Sequence, residues 1–443
     1  MKTIRLEQDI PIRYRGKLCI IGAGPGGIAA AVTAARRGTS TLLFDAHTMP
    51  GGMSTAGLVP IFMPWSDGIH FLPGGFGREV IDALHSESEK HNYDCGSAIN
   101  AEHLKRIYER LLSEAGVEFR YCCRLAAVVA EHGTLRQAVF AGPGGLFAVE
   151  ADIFIDGTGD GTLAAMAGAP FVCGDPATGE TMPSTLCSLW AGFDWAAYRA
   201  GGAFSHNDNA MLGKLEEAFR SGELDVEDYH HTGISRISAV AAAGNLSHVF
   251  DLDPSDEGSL TRGLVESRRL LERYEAFYRK HIAGFQNAEI VGSGSLLGVR
   301  EFRRILGDYV LNREDYLARR DFPDEIGRYN FPADIHPARP GRAELEAHKR
   351  LFSSSGNCKK GESYGIPYRI LLPQRVENLL ICGRCVSCDR AVGASIRVIP
   401  GCFITGQAAG MAGAIAVEGG ITPRQVDPET LRNELRKIGG YFH

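Results

Sequence analysis

Apolar residues first gather at 18–21, Leu-Cys-Ile-Ile, and a Gly-rich turn separates them from an Ala-rich stretch at 28–35 that Gly38 can end in a left-handed conformation. The pattern predicts strand, tight turn and helix. A second apolar run at 40–44 follows and ends in Asp45. Upstream, Ile4, Leu6, Ile10 and Ile12 alternate with polar residues, which predicts an edge strand over 1–15 leading into the first unit. Downstream, 77–91 and 100–115 carry helical periodicity, the second with Asn100 as N-cap and Gly116 as stop. From 117 to 150 the period becomes two. The stretches VEFRYCC, LAAVVAE, QAVFAG and LFAVEA, separated by HGT and GPGG, predict a meander of three or four strands.

Residues 151–167 repeat the opening pattern, an apolar strand meeting Gly157-Thr158-Gly159-Asp160-Gly161 before an Ala-rich helix. The pattern then changes. From about 172 to 370 the chain is heterogeneous, with LWAGFDWAAY, a charged amphipathic helix at 260–285 best read as packing, and the Arg-rich GVREFRRILGDY. At 376 the first character returns: VENLLICGR reads as a strand running into Gly383, and 400–417 as a Gly/Ala-rich helix. The expectation is an α/β protein whose Rossmann-like nucleotide-binding domain (parallel sheet plus β-meander) is discontinuous, over 1–175 and 371–443, with an α+β substrate domain inserted at 176–370. No 20–50-residue repeat is visible.

Composition narrows the classes. The 443 residues hold 47 basic and 53 acidic side chains, a formal charge of −6 without long runs of one sign, which argues against a nucleic-acid partner. Eleven scattered cysteines in a chain of this size fit a reducing, cytoplasmic setting without disulfides. Glu7 and Asp9 interrupt the start where a signal peptide would be apolar, and 402–417 is broken by Thr405-Gly406-Gln407, so no membrane span is expected. The 54 glycines, about 12% against a usual ~7%, suggest backbone brought repeatedly against something flat or phosphorylated.

The glycines also carry the chemistry. Gly22, Gly24 and Gly27 form G-x-G-x-x-G after a strand and before a helix, with Asp45 placed 18 residues beyond Gly27 to meet a ribose hydroxyl. In this arrangement Gly22 permits the turn, Gly24 admits a pyrophosphate, Gly27 lets the helix lie on the strand, and the helix N-terminus offers N–H groups and a positive dipole end. Gly51, Gly52, Ser54 and Thr55 compose a loop of small residues.

Taken together, GAGPGG at 22–27, Asp45, Gly51-Gly52, IDGTGDG at 155–161, NLLICGRC and ASIRVIPGCFITGQAAGMA at 378–412 resemble the FAD-dependent oxidoreductases of the glutathione-reductase superfamily, in the group with a single dinucleotide site. GVREFRRILGDYVLNREDY and FPADIHP also look like middle-domain signatures of that group. The sequence departs from the family in having Asp45 where Glu is commoner and Cys388 where a small or polar residue is usual. The resemblance implies FAD bound by Gly22, Gly24, Pro25, Gly26, Gly27, Asp45, Gly51, Gly52 and Ser54, with backbone near Leu125 at the adenine. It further implies Gly157, Thr158, Gly159 and Asp160 near the pyrophosphate and ribityl chain. Gly383, Arg384, Pro400, Gly401 and Cys402 would then lie at the flavin end. A disulfide reductase of the superfamily carries a second G-x-G-x-x-G and a redox cysteine pair after the first GG loop. Neither is here, since Gly292-Ser-Gly294-Ser-Leu-Leu-Gly298 has the wrong spacing. Electrons are therefore expected to enter from an organic substrate.

The candidates for its chemistry are Arg300 and Arg397, as forks for a carboxylate or developing charge, and His336, bracketed by Pro332 and Pro337 with Asp334 two residues before it, as a general base. Arg304 reads better as ion-paired, and Tyr329 and Tyr364 as packing residues. Cys382, Cys385 and Cys388 form C-x2-C-x2-C, but Val392 stands where an iron–sulfur run wants its next Cys, so structural thiols are the default. His230-His231 has no partner at ligand spacing, and no metal is expected. The reading is a soluble flavoprotein oxidoreductase moving a hydride between flavin N5 and a small polar molecule. A thiol-linked flavin reductase or electron-transfer subunit using Cys385 and Cys388, and a non-catalytic FAD-containing binding module, are the alternatives. The electron acceptor and a homo-oligomeric state stay open.

Overall fold

β1 (Ile12–Ile21) changes character along its length: its first half is largely exposed, while Leu18, Cys19, Ile20 and Ile21 are buried on both faces. That is the signature of a strand flanked by parallel neighbours and covered on both sides. α1 (Pro25–Arg36) carries the chain back to β2 (Thr41–Phe44), which pairs parallel with β1 from Leu18↔Thr41 to Ile21↔Phe44. The computed structural model that gives this arrangement describes residues 2–5, 7–201, 209–229, 231–351 and 356–443. Helices α2 (Phe76–Lys90) and α3 (Ala101–Glu114) follow, the latter capped by the Asn100 side chain, which accepts from the N–H groups of Glu102 and His103.

Strands β3 (Glu118–Arg120), β4 (Arg124–Glu131), β5 (Thr134–Gly142) and β6 (Gly145–Asp156) complete a sheet of order β3-β2-β1-β6-β5-β4. Three expectations change here. The 1–15 alternation does not make a separate edge strand, because residues 12–15 are the start of β1 and pair with β6 in the middle of the sheet. The segment at 117–123 leaves the meander, since β3 runs parallel to β2. The strands expected on either side of residue 151 are one, β6. Its first half pairs antiparallel with β5 and its second half parallel with the strand Leu379–Ile381, while β1 lies along its other edge.

This register places the site. Ile21, Asp156 and Ile381 are level with one another, so the loops after β1, β6 and Leu379–Ile381 emerge side by side at the carboxyl ends of parallel strands. Over them runs the helix Ile399–Gly419, buried along nearly its whole length. It approaches α1 through small residues: a Cβ added at Gly406 would lie 2.1 Å from Gly26 O, and one at Gly410 would lie 2.2 Å from Ala30 O. Among the described residues it is the one helix long and apolar enough to cross a membrane, yet its apolar window is entirely buried within the protein.

The region expected as a substrate domain, 176–370, is divided by its packing. A four-stranded antiparallel sheet, in the order Glu289–Ser293, Ser188–Ala191, Ala241–Leu246, His231–Arg236, packs with the helix Glu257–His281 around Trp190, Tyr274, Phe277, Tyr278 and Phe285. Leu311, Tyr316, Tyr329, Tyr364 and Tyr368 instead share one core with α1 and the helix Ile399–Gly419.

Candidate functional site

The three loops make a cradle that side chains would fill. Gly22 has φ +98°, and a Cβ there would lie 2.5 Å from Gly157 O; a Cβ on Gly27 would lie 1.9 Å from Gly22 O. At Gly24, by contrast, it would meet only Gly157 O, at 3.6 Å, so this glycine borders open space. Gly24 is also the N-cap of α1, with no side-chain cap and Pro25 in the first turn. The N-terminal N–H groups and dipole end of α1 are thereby left for an anion. The helix Ile399–Gly419 begins in the same way, with Val398 as N-cap, Pro400 in its first turn and no side-chain cap.

Asp45 follows β2 directly and turns back over the fingerprint. Its carboxylate accepts from Ala23 N at 2.6 Å and His47 N at 2.7 Å, and lies 2.8 Å from His47 Nδ1. Cys123 N donates to Asp45 O, which draws the chain just before Leu125 toward this corner. Gly51 and Gly52 both take positive φ, and Gly52 abuts Gly24. Ser54 is buried with its hydroxyl donating to Gly51 O, so it shapes the loop from within. Asp156, fully buried, accepts from Thr158 N, Thr158 Oγ1 and Ala164 N and fixes the turn through Gly157 and Thr158. Gly159 and Gly383 again have positive φ. Arg384 clamps these loops together, donating to Gly159 O, Val299 O and the Asp160 carboxylate. Gly26 and Gly401 permit close packing, against Cys382–Gly383 and Ile396 O respectively, and Cys402 is a buried thiol whose pKa burial pushes up to about 12. An open glycine at an uncapped helix N-terminus, an acid over the first loop and a second uncapped helix fit FAD.

Arg300, His336 and Arg397 are far apart in sequence; His336 and Arg397 meet at Asp334, and Arg300 is near enough to act on its charge. Arg397 Nη2 donates to Asp334 O and to Asp334 Oδ2, each at 3.1 Å, and His336 Nε2 lies 3.2 Å from the same Oδ2. The segment 331–337 has no regular structure, as its two prolines require, and Ile335 anchors it against Met182, Ala391 and Ala394. Arg300 is buried, donating through Nη1 to Pro183 O at 2.8 Å and Thr185 Oγ1 at 2.9 Å. Burial, with Arg397 nearby, lowers its pKa to about 10. Burial first and Arg300 second lower His336 to about 4, against the pull of Asp334, so its imidazole is neutral at neutral pH. Burial works against the charge on Asp334, but His336, Arg397 and Arg300 outweigh it and hold the carboxyl well below its usual range. Since a carboxylate only accepts, His336 carries its proton on Nε2, and Nδ1 is the basic nitrogen.

Sequence reasoning missed a second histidine in this cluster. His248 Nδ1 lies 3.0 Å from Asp228 Oδ1, and His248 N donates to Asp228 Oδ2 at 2.6 Å. The His248 and His336 rings stand edge to face with centroids 5.0 Å apart. Backbone pairing across Ser184↔Val249 and Thr185↔Gly298 brings His248 and Arg300 to one place, and no local motif announces it.

Other candidates take structural positions. Arg304 is buried against Glu301, with Arg390 on the same carboxylate. Arg303 stacks over Phe302 and Phe171. Tyr329 and Tyr364 are buried, donating to Pro64 O and pairing with Ser395 Oγ. The cysteines of C-x2-C-x2-C do not converge: Cys382 and Cys388 enter one apolar cluster and Cys385 another, and burial raises all three thiol pKa values. No group of ligating side chains suited to a metal occurs among the described residues. His230 lies outside the described residues, as does the side chain of His231.

The profile of the family described as FAD dependent oxidoreductase matches residues 17–435. An NAD-dependent dihydropyrimidine dehydrogenase subunit PreT homolog of Salmonella typhi is 31% identical over 105 residues, 24% of this chain and 24% of that protein. A ferredoxin–NADP reductase of Saccharopolyspora erythraea is 32% identical over 123 residues, 28% of this chain and 36% of its own length. The chain thus spans well under half of these curated relatives. Among solved structures, a geranylgeranyl bacteriochlorophyll reductase-like protein from Thermoplasma acidophilum aligns over 96% of this chain and 83% of its own, with 12% identity and a TM-score of 0.44. Because the profile covers nearly the whole chain and the cradle fits its cofactor, this protein belongs to the FAD-dependent oxidoreductase family.

Proposed function

We propose that the protein oxidises or reduces a small polar organic molecule carrying a carboxylate or comparable anionic group, seated at Arg300, Arg397 and His336, within the single-dinucleotide-site branch of the glutathione-reductase superfamily. The observation that carries this is the Asp334 carboxylate, which holds Arg397 and His336 through one oxygen beside buried Arg300. FAD, when bound, supplies the two-electron acceptor or donor. Arg300 and Arg397 orient the substrate and offset negative charge that develops on it. In the oxidative direction His336 Nδ1 takes the proton of the substrate O–H or N–H, and Asp334 stabilises the resulting imidazolium. The guanidinium of Arg384, occupied by three acceptors, supports the loops without joining the chemistry.

Single variants test the assignment. His336→Gln keeps a donor toward Asp334 but has no basic nitrogen, and it should retain FAD while losing about 10²–10⁴-fold in the rate of substrate-dependent flavin reduction. Arg300→Met and Arg397→Met should raise the substrate concentration needed for reduction. Wild-type rates in all three variants would overturn the assignment.

A further inference from the structure

The two histidine–aspartate pairs are arranged as opposites. Asp334 faces Nε2 of His336 and Asp228 faces Nδ1 of His248, so the basic nitrogens are Nδ1 of the first ring and Nε2 of the second. The pairs differ in exposure as well: the side chains of His248 and Asp228 are 4% and 5% exposed, that of Asp334 is 41% exposed. Arg300 acts on both rings, Arg397 on His336, and Asp334 on both. Among these groups two guanidinium charges balance two carboxylates while both imidazoles are neutral. An added anion leaves one negative charge in excess in a poorly solvated place. The economical response is uptake of a proton, and each imidazole already has a carboxylate behind it to stabilise the charged form. Rings 5.0 Å apart beside Arg300 disfavour two protons, so the pair takes one.

We infer that His248, held by Asp228, is a second member of the substrate site and that the His248–His336 pair takes up one proton when a small carboxylate binds. This rests on the proposed placement of the substrate at Arg300, Arg397 and His336, and it adds a residue and a proton stoichiometry to it. Mechanistically, the pair holds a proton that it can return to a substrate oxygen or nitrogen in the reductive direction. In the oxidative direction that proton leaves to water on the half-exposed Asp334 side, and His336 Nδ1 then takes the one the substrate gives up, so that the pair never holds two.

The test uses the FAD-loaded protein with trifluoroacetate, a non-reacting carboxylate that stays a monoanion throughout the pH range, following the perturbation of the visible flavin band and, in unbuffered solution with an indicator dye, the protons consumed. Between the pKa values of the free and the occupied site, trifluoroacetate affinity should fall by about tenfold per pH unit, with close to one proton taken up per anion. His336→Gln and His248→Asn each preserve the donor facing the aspartate. Each should bind more weakly and keep part of the uptake, and the double variant should bind without proton uptake and without pH dependence. Asp228→Asn, which leaves both rings in place, should end the pH-dependent range at a lower pH, and it decides the matter if His248→Asn fails to hold FAD. Uptake that His336→Gln alone abolishes, wild-type behaviour in both His248→Asn and Asp228→Asn, or no trifluoroacetate binding would overturn the inference. Proton-linked trifluoroacetate binding in a protein whose flavin no donor reduces would instead sink the oxidoreductase assignment of the site and leave this one standing.

Discussion

Replacing a helical glycine with alanine at two positions should have opposite outcomes. At Gly406 the added methyl would sit 2.1 Å from Gly26 O and 2.7 Å from Gly26 C and Cα. Reaching even a 3.0 Å contact requires the helices to part by 3.0 − 2.1 = 0.9 Å at that point, and the opposing atoms are backbone that cannot rotate away. At Gly213, on the exposed side of the helix Asn209–Ser221, nothing lies within 4 Å. Alanine gains about 1 kcal/mol over glycine in either helix. Gly213→Ala should keep that gain and melt at a higher temperature. Gly406→Ala should lose it to overpacking of about 1–3 kcal/mol. More telling is the cofactor. Gly26 lies between Gly24 and Gly27, so displacing it moves the N-terminus of α1 away from the position that receives the pyrophosphate. FAD should bind at least about tenfold more weakly, the equivalent of ~1.4 kcal/mol. Thermal unfolding with and without FAD, together with fluorescence of released flavin, measures both effects. Equal shifts of the same sign at the two sites, or undiminished FAD affinity in Gly406→Ala, would show that the contact of Gly406 with Gly26 neither limits helix packing nor sets the position of the cofactor-binding turn.

Three further outcomes follow from the geometry. Asp156→Ala leaves Thr158 N and Ala164 N without an acceptor, at about 1–3 kcal/mol for each, and should lower both melting temperature and FAD content. Cys122 and Cys173 are exposed and should react with a thiol reagent at neutral pH, whereas Cys382, Cys385 and Cys388 should react only on unfolding, and Cys385→Ser/Cys388→Ser should leave substrate-dependent flavin reduction unchanged. For pH, His336 is held near 4 against an unfolded value of about 6.5, so the unfolded chain binds more protons between these values. Stability should therefore decline as pH falls from about 6.5 through about 4, and kcat/KM for flavin reduction, which reports the free site, should drop as His336 Nδ1 protonates near the lower value.

What was legible in the sequence was local. The first strand–turn–helix, the Asn100 cap and the extended FPADIHP segment are each fixed by neighbouring residues, and the structure has them at Ile12–Ile21, Pro25–Arg36, Ala101–Glu114 and 331–337. β6 was not legible as one strand, because it changes partner midway, from antiparallel β5 to parallel Leu379–Ile381. Periodicity records burial and carries no information about which strand lies alongside. The same limit hid His248. Its partner Asp228 is twenty residues upstream, and its approach to His336 depends on bridges from Ser184 to Val249 and Thr185 to Gly298. Arg300, His336 and Arg397 were visible singly, through flanking prolines, clustered arginines and the helix that follows; their gathering around Asp334, with His336 and Arg397 in contact with it and Arg300 acting on its charge, is a product of the fold.

Electrons passing between FAD and an anionic organic molecule held by Arg300, Arg397 and His336 would be seen on mixing the FAD-loaded protein, without oxygen, with small hydroxy acids, amino acids, polyols and sugars while following the visible flavin band. Bleaching is expected with at least one carboxylate-bearing C–H donor, and none of comparable rate with NAD(P)H. Reduction by NAD(P)H with no response to any C–H donor would exclude an organic anion as the electron donor at this site.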